Sequence, residues 1–503
     1  MNFPFKNSFL SWLMRQRIHQ IDFFRNHPIK VQKEVFDNLI TKAKGTSFGI
    51  DHNFKNIKSY YEFKNQVPLR SYEELYPYID RQKKGEKNVL WPGKVQCFAK
   101  SSGTTNDRSK YIPISEESLK ECHYKGGKDM LSLYCTNFPD TNIFNGKGLM
   151  LGGSLNNVSG FIEGDLSAIL IKNFPFWVNM HRSPDLETSL LKEWNRKLDL
   201  ITNQAIKQNI TNITGVCSWV LVLLHKIIEK SGANNITEVW PNLELYMHGG
   251  VNFGPYKNQF SHMIPSSDMN YLEGYNASEG FFGIQDQKNE KDLLLMLDYG
   301  IFYEFISLSN FNKGERNTVS LRDIELGEIY VIVISTNAGL WRYIIGDTIR
   351  FTCLNPFRIK IVGRTQSYIN AVGEELMVEN TDQALRLASE KHQCMISDYI
   401  VSAVFVERAV AYHKWIIEFS KKPDSLEDFK LDLDTNLKLL NSDYESKRNN
   451  NFVLLPPEIV EAKSGLFYDW LAKNNRLGGQ YKVPRLDNST EIFKEISELN
   501  TTY

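Results

Sequence analysis

Apolar side chains recur at helical spacing between residues 9 and 45: Leu10, Leu13, Ile18, Ile21 and Phe24, then Val31, Val35, Leu39 and Ile40. Steps of three and four residues put such positions on one face of a helix. Pro28 stands between the two groups. Proline inside a helix loses a hydrogen bond and clashes with the preceding turn, yet it suits a helix start, so the pattern predicts two helices that part near Pro28. From about residue 95 the texture changes to short apolar runs bounded by Gly, Ser and Asn, at 148–151, 243–247, 293–297 and 329–334, with a helical stretch at 188–206 among them. Strands alternating with helices predict an α/β architecture. After about residue 365 the pattern predicts a helix over 381–389, paired strands at 400–406 and 415–419, and a helix opened by Ser425 and Asp428 at capping-box spacing. The expected organisation is a large N-terminal α/β domain, 1–365, and a smaller α+β C-terminal domain, 366–503, with the boundary between 363 and 370.

Composition narrows the classes. A chain of 503 residues exceeds one ordinary core. Lys+Arg and Asp+Glu are both 59, so no global basic field draws in nucleic acid or anionic lipid, and any polyanion must be held by a local site. The apolar runs fall far short of the roughly 20 residues of a spanning helix. Lys6 interrupts the apolar N-terminal stretch and no small-residue cleavage site follows, so no signal peptide is expected. Cysteines 97, 122, 135, 217, 353 and 394 form no CxxC pair and read as free thiols. The expectation is a cytoplasmic protein without a nucleic-acid or membrane partner.

Several segments carry candidate chemistry. Ser101-Ser102-Gly103-Thr104-Thr105-Asn106-Asp107-Arg108-Ser109-Lys110 is dense in hydroxyls and ends on a lysine. Hydroxyl and backbone donors with a point charge suit phosphate oxygens; a polar surface loop is the plainer reading. It departs from a Walker A loop, because Arg108 stands where the second glycine belongs and Tyr111 follows Lys110. The residues after it, 111–114, read as extended. Gly249-Gly250 follow an apolar run and allow close backbone approach to a ligand, or form a simple turn. In Tyr275-Asn276-Ala277-Ser278-Glu279-Gly280 an aromatic can stack on a base and a carboxylate can hold Mg²⁺ against phosphates; a turn beside a buried tyrosine is the alternative. Gly346-Asp347 reads as a turn after the strand 329–334, where Asp347 accepts from a ribose diol or caps its own turn. Arg364 precedes Asn370-Ala371-Val372-Gly373-Glu374-Glu375 at the domain boundary, and Lys482 lies in Gln480-Tyr481-Lys482-Val483-Pro484-Arg485; a surface ion pair and a solvated basic face are their plainer readings.

In order and spacing these segments resemble the adenylate-forming superfamily. Within it the set is most similar to the auxin-responsive acyl acid amido synthetases of plants and their bacterial relatives. Asn276 departs from the pattern, which usually has glycine there, and the larger superfamily sets its catalytic lysine in another context than that of Lys482. The resemblance implies ATP and Mg²⁺, an acid attacking the α-phosphate, release of pyrophosphate, and attack of an amine, usually that of an amino acid, on the acyl-adenylate. It implies phosphate contacts for Ser101, Ser102, Gly103, Thr104, Thr105 and Lys110, adenine contacts for Gly249, Gly250 and Tyr275, and nucleotide binding for Ser278. Glu279 would take Mg²⁺, Asp347 the ribose, and Arg364 ribose or phosphate. Lys482, on a mobile C-terminal domain, would serve adenylation. His123 and Trp219, with Val216, Cys217 and Ser218, are acyl-pocket candidates, each with a core reading beside it. Two other functions compete: an acyl-CoA ligase with the same first step, and a non-catalytic nucleotide-binding scaffold.

Overall fold

The computed structural model describes residues 6–501, apart from 102–109, 159, 251–252, 289, 366–367, 370, 373, 375, 408–409, 449–453, 478–481 and 488–489. The chain divides into two compact units, Met1–Gly250 with Ile264–Lys360, and Val251–Met263 with Ile361–Tyr503. The expected single cut at 365/366 is corrected in one respect, because the excursion Val251–Met263 belongs to the second unit. Its Tyr256 and Phe260 are buried there, and Gln259 Nε2 donates to Ile396 O.

In the first unit the N-terminal pattern yields three helices, Lys6–Arg15, Ile18–Asn26 and Pro28–Ala43. Pro28 opens the third, as expected; the extra break at residues 16–17 carries no proline or glycine signal. The third helix buries Val31, Phe36, Leu39 and Ile40, with Phe36 against Phe302 at 5.0 Å between ring centroids. Gln32 lies on that same face. Its amide donates to Leu297 O and Ile301 O and accepts from Tyr303 N, so its buried polar atoms are matched by the strand Ile301–Ser307 and the segment before it.

Among the described residues twelve strands form the main sheet of this unit. One end is parallel: Arg182–Ser183, Lys147–Met150, Ile210–Thr214, Leu245–Gly249 and Asn270–Ala277 pair in that order. From Asn270–Ala277 onward the pairing turns antiparallel, through Gly280–Ile284 and Leu293–Leu295 to Phe357–Arg364. The run at 329–334 becomes the strand Ile329–Thr336, seven of whose eight residues are buried, as a strand covered on both faces must be. The stretch 188–206 is two helices, Leu186–Ser189 and Trp194–Ala205, the second capped by the Glu193 carboxylate on Arg196 N. A second sheet pairs Cys97–Ser101 with Lys110–Ile114 antiparallel, so 111–114 is extended as expected.

The second unit is α+β. Met395–Glu407 and Val410–Lys421 pair antiparallel with Val401 opposite Trp415, and Leu486–Asp487 and Glu458–Glu461 flank them in parallel. Helices Val378–Lys391 and Leu426–Leu440 pack with this sheet around Leu385, Tyr399, Trp415 and Leu433. Ser425 Oγ accepts from Asp428 N at 3.2 Å, the cap that the sequence predicts. No described helix is long and apolar enough to cross a membrane.

Candidate functional site

The parallel strands of the first unit end together. Met150 lies opposite Thr214, Thr214 opposite Met247, and Gly249 opposite Gly274. Ligands of open α/β sheets bind beyond the carboxyl ends of such strands. The segments just past these ends are Leu151-Gly152-Gly153, Val216–Trp219, Gly249-Gly250 and Ser278-Glu279, so three of the sequence-predicted groups share one edge.

Tyr275 and Asp347 meet directly. The Tyr275 hydroxyl donates to Asp347 Oδ2 at 2.5 Å. Their strands stand four places apart in the sheet, about 19 Å if the sheet were flat, so the sheet curls to bring them together. The expected turn at Gly346-Asp347 is corrected. Both residues lie inside the strand Tyr343–Leu354. Between the pairs Val331–Thr348 and Val333–Ile344 the ladder shifts register, and Gly346 has φ +91°. This is a bulge, which needs the freedom of glycine and re-aims the side chain beside it. Upstream, Trp341 is fully buried with Nε1 donating to Leu90 O, and Arg342 is clamped by Glu304 and by the carbonyls of Lys64 and Val67. That half of the motif anchors the strand.

Gly249 explains itself within the protein: a Cβ there would sit 2.1 Å from Gly274 O of the neighbouring strand. Gly250, at φ +79°, takes the left-handed turn that follows. Ser278 and Glu279 form the tip of the hairpin from Asn270–Ala277 to Gly280–Ile284, with Glu279 only 9% exposed. A nearly buried carboxylate at a strand end fits a Mg²⁺ that draws its other oxygens from phosphates. Among the described residues no cluster of three His, Cys, Asp or Glu forms a metal cage by itself.

Of the phosphate loop, Ser101 closes its strand and Lys110 opens the partner strand directly opposite it. Ser102, Gly103, Thr104 and Thr105 lie outside the described residues. Lys110 Nζ stands 5.6 Å from the centre of the Tyr72 ring, and Tyr72 Oη accepts from Tyr111 N at 2.7 Å. Trp219 sits in the first turn of the helix Cys217–Ser231, buried edge-on against Trp194 at 4.8 Å, a core contact. His123 is 4% exposed in a π-helical turn, Leu119–Tyr124; burial pushes its pKa down to about 4, opposed by its hydrogen bond with Asn276. It is therefore neutral near pH 7.

Sequence reading missed Lys197. It is 1% exposed, and its ammonium donates to Gly152 O at 2.6 Å and Gly153 O at 2.7 Å, fixing the loop after Lys147–Met150. Burial lowers its pKa to about 8, with Asp165 opposing. The paired glycines after an apolar run were the available signal; a single lysine 44 residues from Gly153 was not.

In the second unit, Arg364 ends the strand Phe357–Arg364, and Lys482 is half-buried beside the buried Val483. Arg485 pairs with Asp398, bonds the Tyr256 hydroxyl and lies 4.6 Å from the Tyr399 ring, so that end of the basic segment is packed. Glu374 is structural: its carboxylate accepts from Ala371 N, Val372 N and the ring of His413, and the Glu374 and His413 side chains are both fully buried.

Known proteins share this layout. Residues 17–269 match the GH3 family N-terminal domain, 294–364 its central domain and 379–491 its C-terminal domain. Indole-3-acetic acid-amido synthetase GH3.4 of Arabidopsis thaliana is 23% identical over 94% of this chain and 92% of its own. Jasmonoyl–L-amino acid synthetase GH3.5 of Oryza sativa subsp. japonica is 22% identical over 97% of each. The solved structure of GH3.15 acyl acid amido synthetase superposes with a TM-score of 0.78 over 97% of this chain and 96% of that one, at 18% identity. A 2-hydroxyisobutyryl-CoA ligase in its postadenylation state shares the fold at a TM-score of 0.58, 12% identity, over 94% of this chain and 92% of that one. With the N-terminal match alone spanning half of the residues, and the central and C-terminal matches following in order, this chain belongs to the GH3 family.

Proposed function

We propose that this chain is an ATP-dependent ligase that activates a carboxylic acid as its acyl-AMP and passes the acyl group to an amine, an amino acid by analogy with the relatives' names. The carrying observation is the Tyr275–Asp347 hydrogen bond at the end of the parallel strands, which joins two nucleotide-binding candidates 72 residues apart.

A free carboxylate resists an amine because oxide is a poor leaving group. Attack of the acid on the α-phosphate of ATP expels pyrophosphate and supplies AMP as the leaving group. The amine then adds to the acyl carbon, loses a proton and displaces AMP. In the first step charge builds on phosphate oxygens, so fixed donors carry the catalysis. Ser101, Ser102, Gly103, Thr104, Thr105 and Lys110 are assigned to those oxygens, and Arg364 to ribose or phosphate. Tyr275, Gly249 and Gly250 take the adenine, Ser278 lies against the nucleotide, and Asp347 takes the ribose. Glu279 would hold Mg²⁺, which would supply Lewis-acid neutralisation of the triphosphate. Lys482 is assigned to adenylation, His123 and Trp219 to the acid. The setting is cytoplasmic, where ATP and reduced thiols are found.

The test is ATP–pyrophosphate exchange over aryl, indolyl and fatty acids, followed by acceptor assays with amino acids and with coenzyme A. Exchange that no acid stimulates refutes adenylation. Exchange that leads to a thioester and never an amide makes the chain an acyl-CoA ligase.

A further inference from the structure

Asn276 stands where the resembling pattern has glycine, and the structure gives its side chain a dedicated partner. The hairpin register sets Phe281 opposite Asn276. The segment carrying His123 grips Phe281 at two points. Cys122 Sγ accepts from Phe281 N at 3.2 Å, and Gly126 leaves room for the Phe281 ring, which a Cβ would meet at 2.4 Å. Backbone geometry therefore places His123, between those two grips, beside Asn276. The π-helical turn that presents the ring is a feature frequent at functional sites.

The ring is 4% exposed and neutral, and its Nδ1 finds no partner among the described residues, while Asn276 is exposed. A neutral imidazole offers the amide one of two arrangements. If the ring accepts an amide N–H, the second N–H of Asn276 is left over; if the ring donates to the amide oxygen, both are left over. In either tautomer Asn276 keeps an N–H donor at the end of the parallel strands, one residue after Tyr275 and three before Glu279.

The acid's carboxylate is the part that must come beside the nucleotide, and strand alternation turns Asn276 to the face opposite Tyr275. We propose that Asn276, oriented by His123, donates a hydrogen bond to the carboxylate of the acid and holds it for attack on ATP. A neutral donor holds the carboxylate without forming an ion pair. The role rests on the adenylation reading and adds to it a binding residue for the acid.

The test is pyrophosphate exchange with indole-3-acetate, benzoate and decanoate as probes, varying acid and ATP separately, with a thermal melt of each variant. Asn276→Ala should raise the acid KM about tenfold or more, as for a lost hydrogen bond to a charged group, and leave the ATP KM within about twofold. Asn276→Asp keeps the size but replaces the donor by a charge that repels the acid, and should lose at least as much. His123→Gln, a neutral partner, should stay closer to the parent than His123→Phe. An unchanged acid KM in Asn276→Ala or Asn276→Asp overturns this role alone. Equal rises for acid and ATP make the pair structural and overturn it too. Absence of acid-stimulated exchange in the unaltered chain overturns the adenylation reading and this role with it.

Discussion

Replacing Asp347 should weaken ATP binding by a predictable amount, and its neighbour shows how to apportion the loss. The Tyr275 hydroxyl donates to Asp347 Oδ2, on the carboxylate proposed to accept from the ribose. Hydrogen bonds to a charged group are each worth about 1.5–3 kcal/mol. Asp347→Ala should therefore raise the ATP Kd roughly 10- to 150-fold, at 1.4 kcal/mol per decade. Tyr275→Phe keeps the ring proposed to meet the adenine but removes one bond that orients the carboxylate. That bond touches ATP only through the carboxylate, so its loss predicts a rise smaller than that of Asp347→Ala, roughly 2- to 10-fold. Because the hydroxyl acts through the carboxylate, the double variant should bind ATP no worse than Asp347→Ala alone. Calorimetric titration with ATP reads all three, with melting curves to certify the fold. An unchanged Kd in a folded Asp347→Ala protein refutes the ribose assignment. Strictly additive losses refute the claim that Tyr275 works by orienting Asp347.

Three further outcomes follow from the same geometry. Glu279→Gln should raise the Mg²⁺ concentration needed for half-maximal pyrophosphate exchange; the parent's Mg²⁺ dependence in the variant removes Glu279 as the ligand. Burial raises the Glu374 pKa, but the His413 hydrogen bond and charge and two backbone N–H groups outweigh it and hold the carboxyl below its ordinary value. A depressed folded pKa contributes stability above the unfolded value, near pH 4.3, that is lost as pH falls through the folded one. Melting of Glu374→Gln should thus vary less with pH on the acid side than that of the parent, and parallel curves exclude the linkage. Lys482→Ala should depress pyrophosphate exchange while still converting supplied acyl-adenylate and amine to amide; equal loss of both half-reactions gives Lys482 another role.

Much of the fold was legible because its signals are local. The strand Ile329–Thr336 begins with six apolar residues and Leu245–Gly249 with three, and the Ser425 cap lies three residues from the N–H that donates to it. Local signals fail where a second contact decides. Residues 16–17 break a helix without a breaker, and the excursion Val251–Met263 joins the second unit through buried Tyr256 and Phe260, which read like any other aromatics in a line of sequence. Gly346-Asp347 announces a turn by composition, but the strand continues because glycine absorbs the left-handed conformation inside a bulge.

The candidate site stands out in the sequence as a set of segments and not as a set of contacts, for one physical reason. Adenylate chemistry needs donors around phosphates and ribose, and those donor types stand out by composition at Ser101–Lys110 or Ser278-Glu279. What holds them is made of residues without such a signature. Lys197 grips two carbonyls from a helix; Cys122 and Gly126 grip a phenylalanine; Arg342 is spent on a buried clamp although it lies within the motif of Asp347. A functional group must differ from its surroundings to do chemistry, whereas a positioning group need only satisfy the atoms beside it. The sequence therefore names the first kind by type. His123 is of the second kind, a buried ring that meets the side chain of Asn276, and nothing in its sequence neighbourhood announces that contact.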